Sequence, residues 1–144
     1  MKNEQKTKLF LVDDDALFLK VLAFDFLQQA DFDIKTFETG ELCIENLSYN
    51  PDVIILDYLL DGLDKKAMNG IETLDKIKAF NKDIPVIMLS SQDKIDVAVS
   101  CMHHKAFDYV VKSETAFLRL QKAIKAIFSL QKLEKQLNWY MERM

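Results

Sequence analysis

Three aspartates, Asp13, Asp14 and Asp15, follow the apolar run LFLV; Asp57 follows VIIL; Ser90 and Ser91 follow VIML; Lys112 follows YVV. Each group stands where an apolar run ends. Taken singly they are unremarked: three aspartates can cap a helix, Ser90 can start a turn, and Lys112 can mark a solvated strand end. Together they make a chemical set. Two carboxylates about 4 Å apart repel by about 4 kcal/mol at an effective dielectric of about 20, so acids gathered at one place need a positive partner. Carboxylates, a backbone carbonyl and water offer only oxygen, a donor set suited to Mg²⁺, which readily shares its shell with a phosphate. Lys112 adds a second positive charge and a Ser hydroxyl can donate a hydrogen bond. A carboxylate nucleophile, a divalent cation, a lysine and a hydroxyl are the parts that accepting a phosphoryl group requires.

Such a set works only if the chain brings the run ends together. Leu9–Val12, Ile34–Phe37, Val53–Leu56, Val86–Leu89 and Tyr109–Val111 read as strands by length and by β-branched or aromatic content. Helical patterns fall between them, at roughly 16–29, 40–47, 70–80, 94–104 and from 114 onward. Asp15, Thr39, Asn69, Asp93 and Ser113 precede them as N-cap types. The runs at 9–12, 53–56 and 86–89 are continuous, which predicts strands buried on both faces, whereas IKTF at 34–37 alternates as an edge strand does. The expected fold is α/β: a doubly wound five-stranded parallel sheet, flavodoxin-like (βα)₅, in order 2-1-3-4-5, with an extended C-terminal helix. In that order ligands bind beyond the carboxyl ends of the strands.

The 144 residues suit one domain. Residues 1–111 hold 12 Lys or Arg against 20 Asp or Glu, a net of −8, while 112–144 hold 7 against 3, a net of +4. The acidic block would repel phosphates, so no direct nucleic-acid binding is expected of it; the basic tail reads as a solvated helix face. Cys43 and Cys101 sit inside apolar helical patterns without ligand spacing and read as core thiols in a reducing compartment. MKNEQKTK lacks a signal-peptide apolar region, and no run approaches the roughly 20 apolar residues of a membrane span. The expectation is a cytoplasmic protein without a membrane partner.

LFLVDDDALF, PDVIILDYLL, IPVIMLSSQD and FDYVVKS, in this order and spacing, resemble the receiver (phosphoacceptor) domain of two-component response regulators. The resemblance covers about residues 8–127, leaving 1–7 as a frayed N-terminus and 128–144 as a helical extension. It implies that Asp57 accepts the phosphoryl group from a histidine kinase, a phosphotransfer protein or a small phosphodonor. It further implies that Asp14 ligates Mg²⁺ directly, Asp13 mostly through water, and the Leu59 carbonyl as a further ligand, while Ser90 and Lys112 contact the phosphoryl oxygens. Tyr109 matches the aromatic that rotates as Ser90 moves, so helix 94–104, strand 108–111 and the last helix form the expected output face. Leu59 and Gln92 match the positions that tune phosphoryl lifetime; Leu59 cannot orient water, so self-dephosphorylation is expected to be slow. Beyond self-phosphorylation and this hydrolysis the resemblance implies a regulatory protein.

The sequence departs from the family in three places. Ser113 follows the lysine where Pro across a cis bond is usual, and a cis bond without Pro costs about 3 kcal/mol. Asp61 replaces a Pro in the loop after the acceptor, and the nearest matching glycine is Gly70, an insertion of about five residues within 61–69. HHKAFDY, at 103–109, lacks the usual glycine-bearing turn, and His103 and His104 read as surface helix residues. From Glu114 to Met144 there is no Pro or Gly, a length of about 46 Å if wholly helical. Leu120, Ile124 and Ile127 fit a packing face. Leu130, Leu133, Leu137, Tyr140 and Met144 then recur at spacing 3, 4, 3, 4, which suits a linker helix or a homodimer formed through residues 94–144, the alternative being a frayed or back-folded tail. Two other readings compete. A receiver-like scaffold that binds partners without phosphorylation would keep the fold alone. A haloacid-dehalogenase-type phosphatase would use Asp13 as nucleophile and Asp15 as acid/base, but it lacks the acidic pair such enzymes need after the lysine and leaves Asp57 without a role.

Overall fold

Continuous apolar runs become the central strands because both of their faces must be covered. A computed structural model of the chain describes residues 6–29, 31–62 and 64–144. The elements are β1 (Thr7–Val12), α1 (Ala16–Leu27), β2 (Phe32–Phe37), α2 (Gly40–Glu45), a 3₁₀ turn (Leu47–Tyr49), β3 (Val53–Asp57), α3 (Gly70–Phe80), β4 (Val86–Ser90), α4 (Ile95–His103), β5 (Asp108–Val111) and α5 (Ala116–Glu142). All pairings are parallel, in the order β2-β1-β3-β4-β5. Of the expected frayed N-terminus, residues 1–5 lie outside the described residues, and Thr7 belongs to β1, where it pairs with Phe32.

Strand residues alternate between the two faces, so each run feeds two cores. Leu9, Leu11, Val53, Ile55, Ile87, Leu89 and Val110 meet α1 and α5 on one face. Phe10, Val12, Ile54, Leu56, Val86 and Met88 pack against α2, α3 and α4 on the other. The registers Val12↔Leu56 and Asp57↔Leu89 align the carboxyl ends of the central strands. Cys43 and Cys101 are free and buried, as core thiols should be.

Three of the expected caps do what their side chains allow. Asp15 Oδ1 accepts the N–H groups of Leu17 and Phe18, both at 3.1 Å; Thr39 Oγ1 accepts from Leu42; and Asn69 with Glu72 forms a reciprocal capping box. Asp93 and Ser113 do not cap. The chain stays extended through Lys94, so α4 opens at Ile95 without a side-chain bond. Ser113 instead closes a turn ahead of α5: its Oγ accepts the Thr115 N–H, its carbonyl accepts the Ala116 N–H, and Thr115 becomes the cap residue. The Lys112–Ser113 bond is trans.

The end of α4 shows what replaces the absent glycine. The Ala106 N–H reaches the Cys101 carbonyl and the Lys105 N–H the Met102 carbonyl, the paired bonds of a Schellman ending. That motif puts Lys105 at φ 76°, a left-handed conformation that favours glycine. His103 is exposed, while His104 bonds Asp75 of α3 at 2.7 Å. The 27 residues of α5 extend about 40 Å. Leu120, Ile124 and Ile127 are buried on the sheet, whereas Leu130, Leu133, Leu137, Tyr140 and Met144 are exposed beyond it.

Candidate functional site

The carboxyl ends of β1, β3 and β5 converge on a cleft of about 710 Å³ lined by Asp13, Asp14, Asp57, Leu59 and Lys112 together with Leu17, Glu38, Gly62 and Ser91. Asp13 follows β1 directly and is 2% exposed; Asp57 ends β3 and is 5% exposed. Carboxylate oxygens of Asp13, Asp14 and Asp57 lie within 4.8 Å of one another. Lys112 Nζ stands 2.8 Å from Asp13 Oδ2 and 3.6 Å from Asp57 Oδ1. Asp13 Oδ1 accepts the Asp15 N–H at 2.9 Å, and the buried Oδ2 has the Lys112 ammonium as its partner.

The electrostatics follow from crowding. Burial, then the neighbouring Asp13 charge, pushes Asp57 up to about 7, although Lys112 and the Leu59 backbone N–H oppose the rise. Burial and Asp13 likewise raise Asp14. Burial draws the Lys112 ammonium down, yet the combined hold of Asp13 and Asp57 outweighs it, and the lysine sits above its ordinary value. Three acids therefore face one resident cation. The three converging carboxylates, the oxygen-only donor set and the two raised acids fit a hard divalent cation such as Mg²⁺.

Ser90 is in the same region but turned away. Its buried Oγ accepts the Gln92 N–H at 2.9 Å, and Ser91 rather than Ser90 lines the cleft. Tyr109 is half-buried with its hydroxyl donating to the Gln92 carbonyl. The backbone of Gln92 thus links Ser90 to Tyr109. Asp15, which a phosphatase would need as acid/base, is engaged in capping α1.

The long loop after Asp57 begins and ends at one point. The Gly70 N–H donates to the Tyr58 carbonyl at 3.1 Å, and a Cβ on Gly70 would lie 2.5–2.7 Å from the Tyr58 and Asp57 backbone. Only glycine lets the start of α3 approach the end of β3 so closely. Between these ends Leu60 is buried and the Met68 N–H donates to Glu41 Oε2 of α2 at 2.8 Å, while Gly62 lies against Asp14. Phe18 was not anticipated from the sequence: its ring stacks on Lys112, with Nζ 4.5 Å from the centroid. An aromatic in an apolar helix carries no signal that would have separated it from core.

Comparison with known proteins agrees with this geometry. The family model of the response regulator receiver domain matches residues 9–125. The chain is 34% identical over 119 residues to a protein-glutamate methylesterase/protein-glutamine glutaminase of Clostridium acetobutylicum, covering 78% of this chain and 32% of that protein. It spans a third or less of the curated relatives it matches. Among solved structures it resembles the signal receiver domain of a LuxO repressor protein from Vibrio parahaemolyticus, with 26% identity, a TM-score of 0.76 and coverage of 92% of this chain and 98% of that one. It also resembles a chain of the CheX–CheY–BeF₃–Mg²⁺ complex from Borrelia burgdorferi, with 26% identity, a TM-score of 0.72 and coverage of 84% and 88%. No helix among the described residues is long and apolar enough to cross a membrane. With the strand-end residues, the sheet order and the match over 9–125 in agreement, the chain belongs to the response regulator receiver domain family.

Proposed function

We propose that Asp57 is the phosphoryl acceptor of this receiver domain, in transfer from a histidine kinase, a phosphotransfer protein or a small acyl phosphate. One observation carries the reading: a buried strand-end carboxylate, raised to about 7, faces a lysine at 3.6 Å beside two further acids. Transfer forms a bond from an Asp57 carboxylate oxygen to phosphorus as the bond from phosphorus to the donor breaks, its electron pair staying on the donor. Asp13, Asp14, Asp57 and the Leu59 carbonyl would hold Mg²⁺, as the Mg²⁺ of the Borrelia complex suggests. Bound there, Mg²⁺ would neutralise the facing carboxylates and the charge on the phosphoryl oxygens. Lys112 supplies a further positive charge to those oxygens. Asp13 positions Lys112, and the low exposure of Asp57 limits access of water.

Phosphorylation changes what Ser90 has to bond. Its hydroxyl, which accepts the Gln92 N–H, moves to donate its own O–H to a phosphoryl oxygen; that movement draws Oγ away from the Gln92 N–H and loosens the Gln92 segment and with it the Tyr109 hydroxyl. The output face is α4, β5 and α5, where Ile95, Val99, Met102 and Leu118 are exposed. On α1, Leu17, Val21, Phe24 and Leu27 form an exposed apolar stripe that starts at the cleft mouth, which supports docking of the phosphodonor protein there. The exposed stripe of α5 beyond Ile127 supports a homodimer through 94–144. Leu59 and Gln92 flank the water path and set phosphoryl lifetime, and the protein works in the cytoplasm.

Incubation with Mg²⁺ and acetyl phosphate, read by intact mass, tests the core of this. Wild type should gain one phosphoryl group and Asp57→Asn none. Absence of label with every donor would favour the binding scaffold.

A further inference from the structure

The Lys112 ammonium has a third neighbour besides Asp13 and Asp57. The Phe18 ring lies 4.5 Å from Nζ, centroid to nitrogen. Both residues are fixed from behind. Asp15 accepts the N–H groups of Leu17 and Phe18, which locks the first turn of α1, and Phe18 packs against the α1–α5 core. The Lys112 N–H donates to the Ser90 carbonyl at 2.7 Å, which fixes the base of the lysine but leaves its four-carbon stem free to turn.

We propose that Phe18 is a positioning residue for phosphoryl transfer: its ring face holds the Lys112 ammonium over the gap between Asp13 and Asp57, and lets it pivot from carboxylate to phosphoryl oxygen. The proposal rests on Asp57 being the acceptor. The ammonium stands 2.8 Å from Asp13 but 3.6 Å from Asp57, so it rests on the Asp13 side and has to move to reach a phosphoryl oxygen on Asp57. A ring face attracts a cation over a broad range of positions, without the directional demand of a hydrogen bond. The ammonium can therefore swing toward the phosphoryl group while keeping one partner. The ring also excludes water from one side of the charge, which strengthens its pull on phosphoryl oxygens. In the transfer from acetyl phosphate the Asp57 oxygen–phosphorus bond forms, the phosphorus–acetate oxygen bond breaks, acetate keeps the electron pair, and Lys112 keeps its protons.

The test compares Phe18→Leu and Phe18→Tyr, each with Lys112 intact and with Lys112→Met, using the full chain with Mg²⁺ and acetyl phosphate at a temperature where all variants are folded. Phe18→Leu should lower the maximal rate about threefold to tenfold, with the donor concentration at half-maximal rate unchanged. Phe18→Tyr should restore the rate, and Phe18→Leu should add nothing in the Lys112→Met background. NMR of the metal-free protein gives a second reading: the Lys112 ε-methylene should be shifted upfield by the ring current in wild type and Phe18→Tyr, but not in Phe18→Leu. An equal loss of rate in both lysine backgrounds, or an unshifted ε-methylene in wild type, overturns the proposal. The acceptor reading fails separately, through absence of label in every variant, while the methylene shift still decides whether Phe18 holds Lys112.

Discussion

Replacing Asp57 by Asn should stabilise the metal-free protein at pH 8 and less than half as much at pH 5. Burial and Asp13 hold the Asp57 carboxyl at about 7, against an ordinary value of 3.8. Between those values the folded protein binds a proton that the unfolded chain has released, so stability falls as pH rises. The contribution is fully present below about pH 3.8 and is lost once pH has passed about 7. Each unit is worth about 1.4 kcal/mol, which sets an upper bound of about 4 kcal/mol. Asp13 and Lys112 share in the titration of this site, and an asparagine amide must itself find partners. We therefore expect a gain of about 1–3 kcal/mol at pH 8, or about 3–10 °C in Tm for a chain of this size. Thermal melts of wild type and Asp57→Asn in EDTA at pH 5, 6, 7 and 8 measure it. Addition of Mg²⁺ at pH 8 should remove most of the wild-type deficit and do little for the variant. A difference between the two proteins that is independent of pH, or a destabilised variant at pH 8, would refute the electrostatic account of the cleft.

Other perturbations report on separate parts of the fold. Gly70→Ala puts a methyl group into the Asp57 and Tyr58 backbone, so urea unfolding should show a loss of about 2 kcal/mol, accompanied by slower labelling of Asp57. Lys105→Gly relieves a left-handed residue at the end of α4 and should gain about 1 kcal/mol in the same assay. Leu59→Asn, which gives the cleft mouth a group able to orient water, should shorten the lifetime of the phosphoprotein; a lifetime unchanged from a short-lived wild type would count against the assigned role of Leu59. Removal of residues 128–144 takes away only the part of α5 beyond its buried face, so the melting temperature should barely change while sedimentation shifts from dimer to monomer.

The parts of this fold that local chemistry decides were legible in the sequence. Continuous runs such as VIIL can be satisfied only as strands covered on both faces, and the alternating order of strands and helices then fixes where Asp13, Asp57 and Lys112 must meet. Asp15, Thr39 and Asn69 could be read as caps because each bonds within its own next turn. Asp93 and Ser113 are the same residue types, but their backbones follow the turns leaving Ser90 and Lys112, which are set by neighbouring strands rather than by the caps themselves. Lys105 shows the reverse. No glycine marks the turn, yet the pull of Ala106 and Val110 into the cores imposes the left-handed residue regardless. Residues that reach the cleft from elsewhere, Phe18 and Glu38, carried no local signal, because only the assembled sheet brings them there. The inserted loop was visible as an excess of residues, but its closure through Tyr58 and Gly70 is a tertiary contact.

Where the phosphoryl group lands tests the account most directly. Wild-type protein, labelled with acetyl phosphate and Mg²⁺, can be reduced with borohydride, which converts an aspartyl phosphate to homoserine, and then read by peptide sequencing in the mass spectrometer. Homoserine at position 57, and at no other aspartate, is the predicted result. Homoserine at position 13, or an Asp57→Asn protein that still acquires the modification at Asp13, would contradict it.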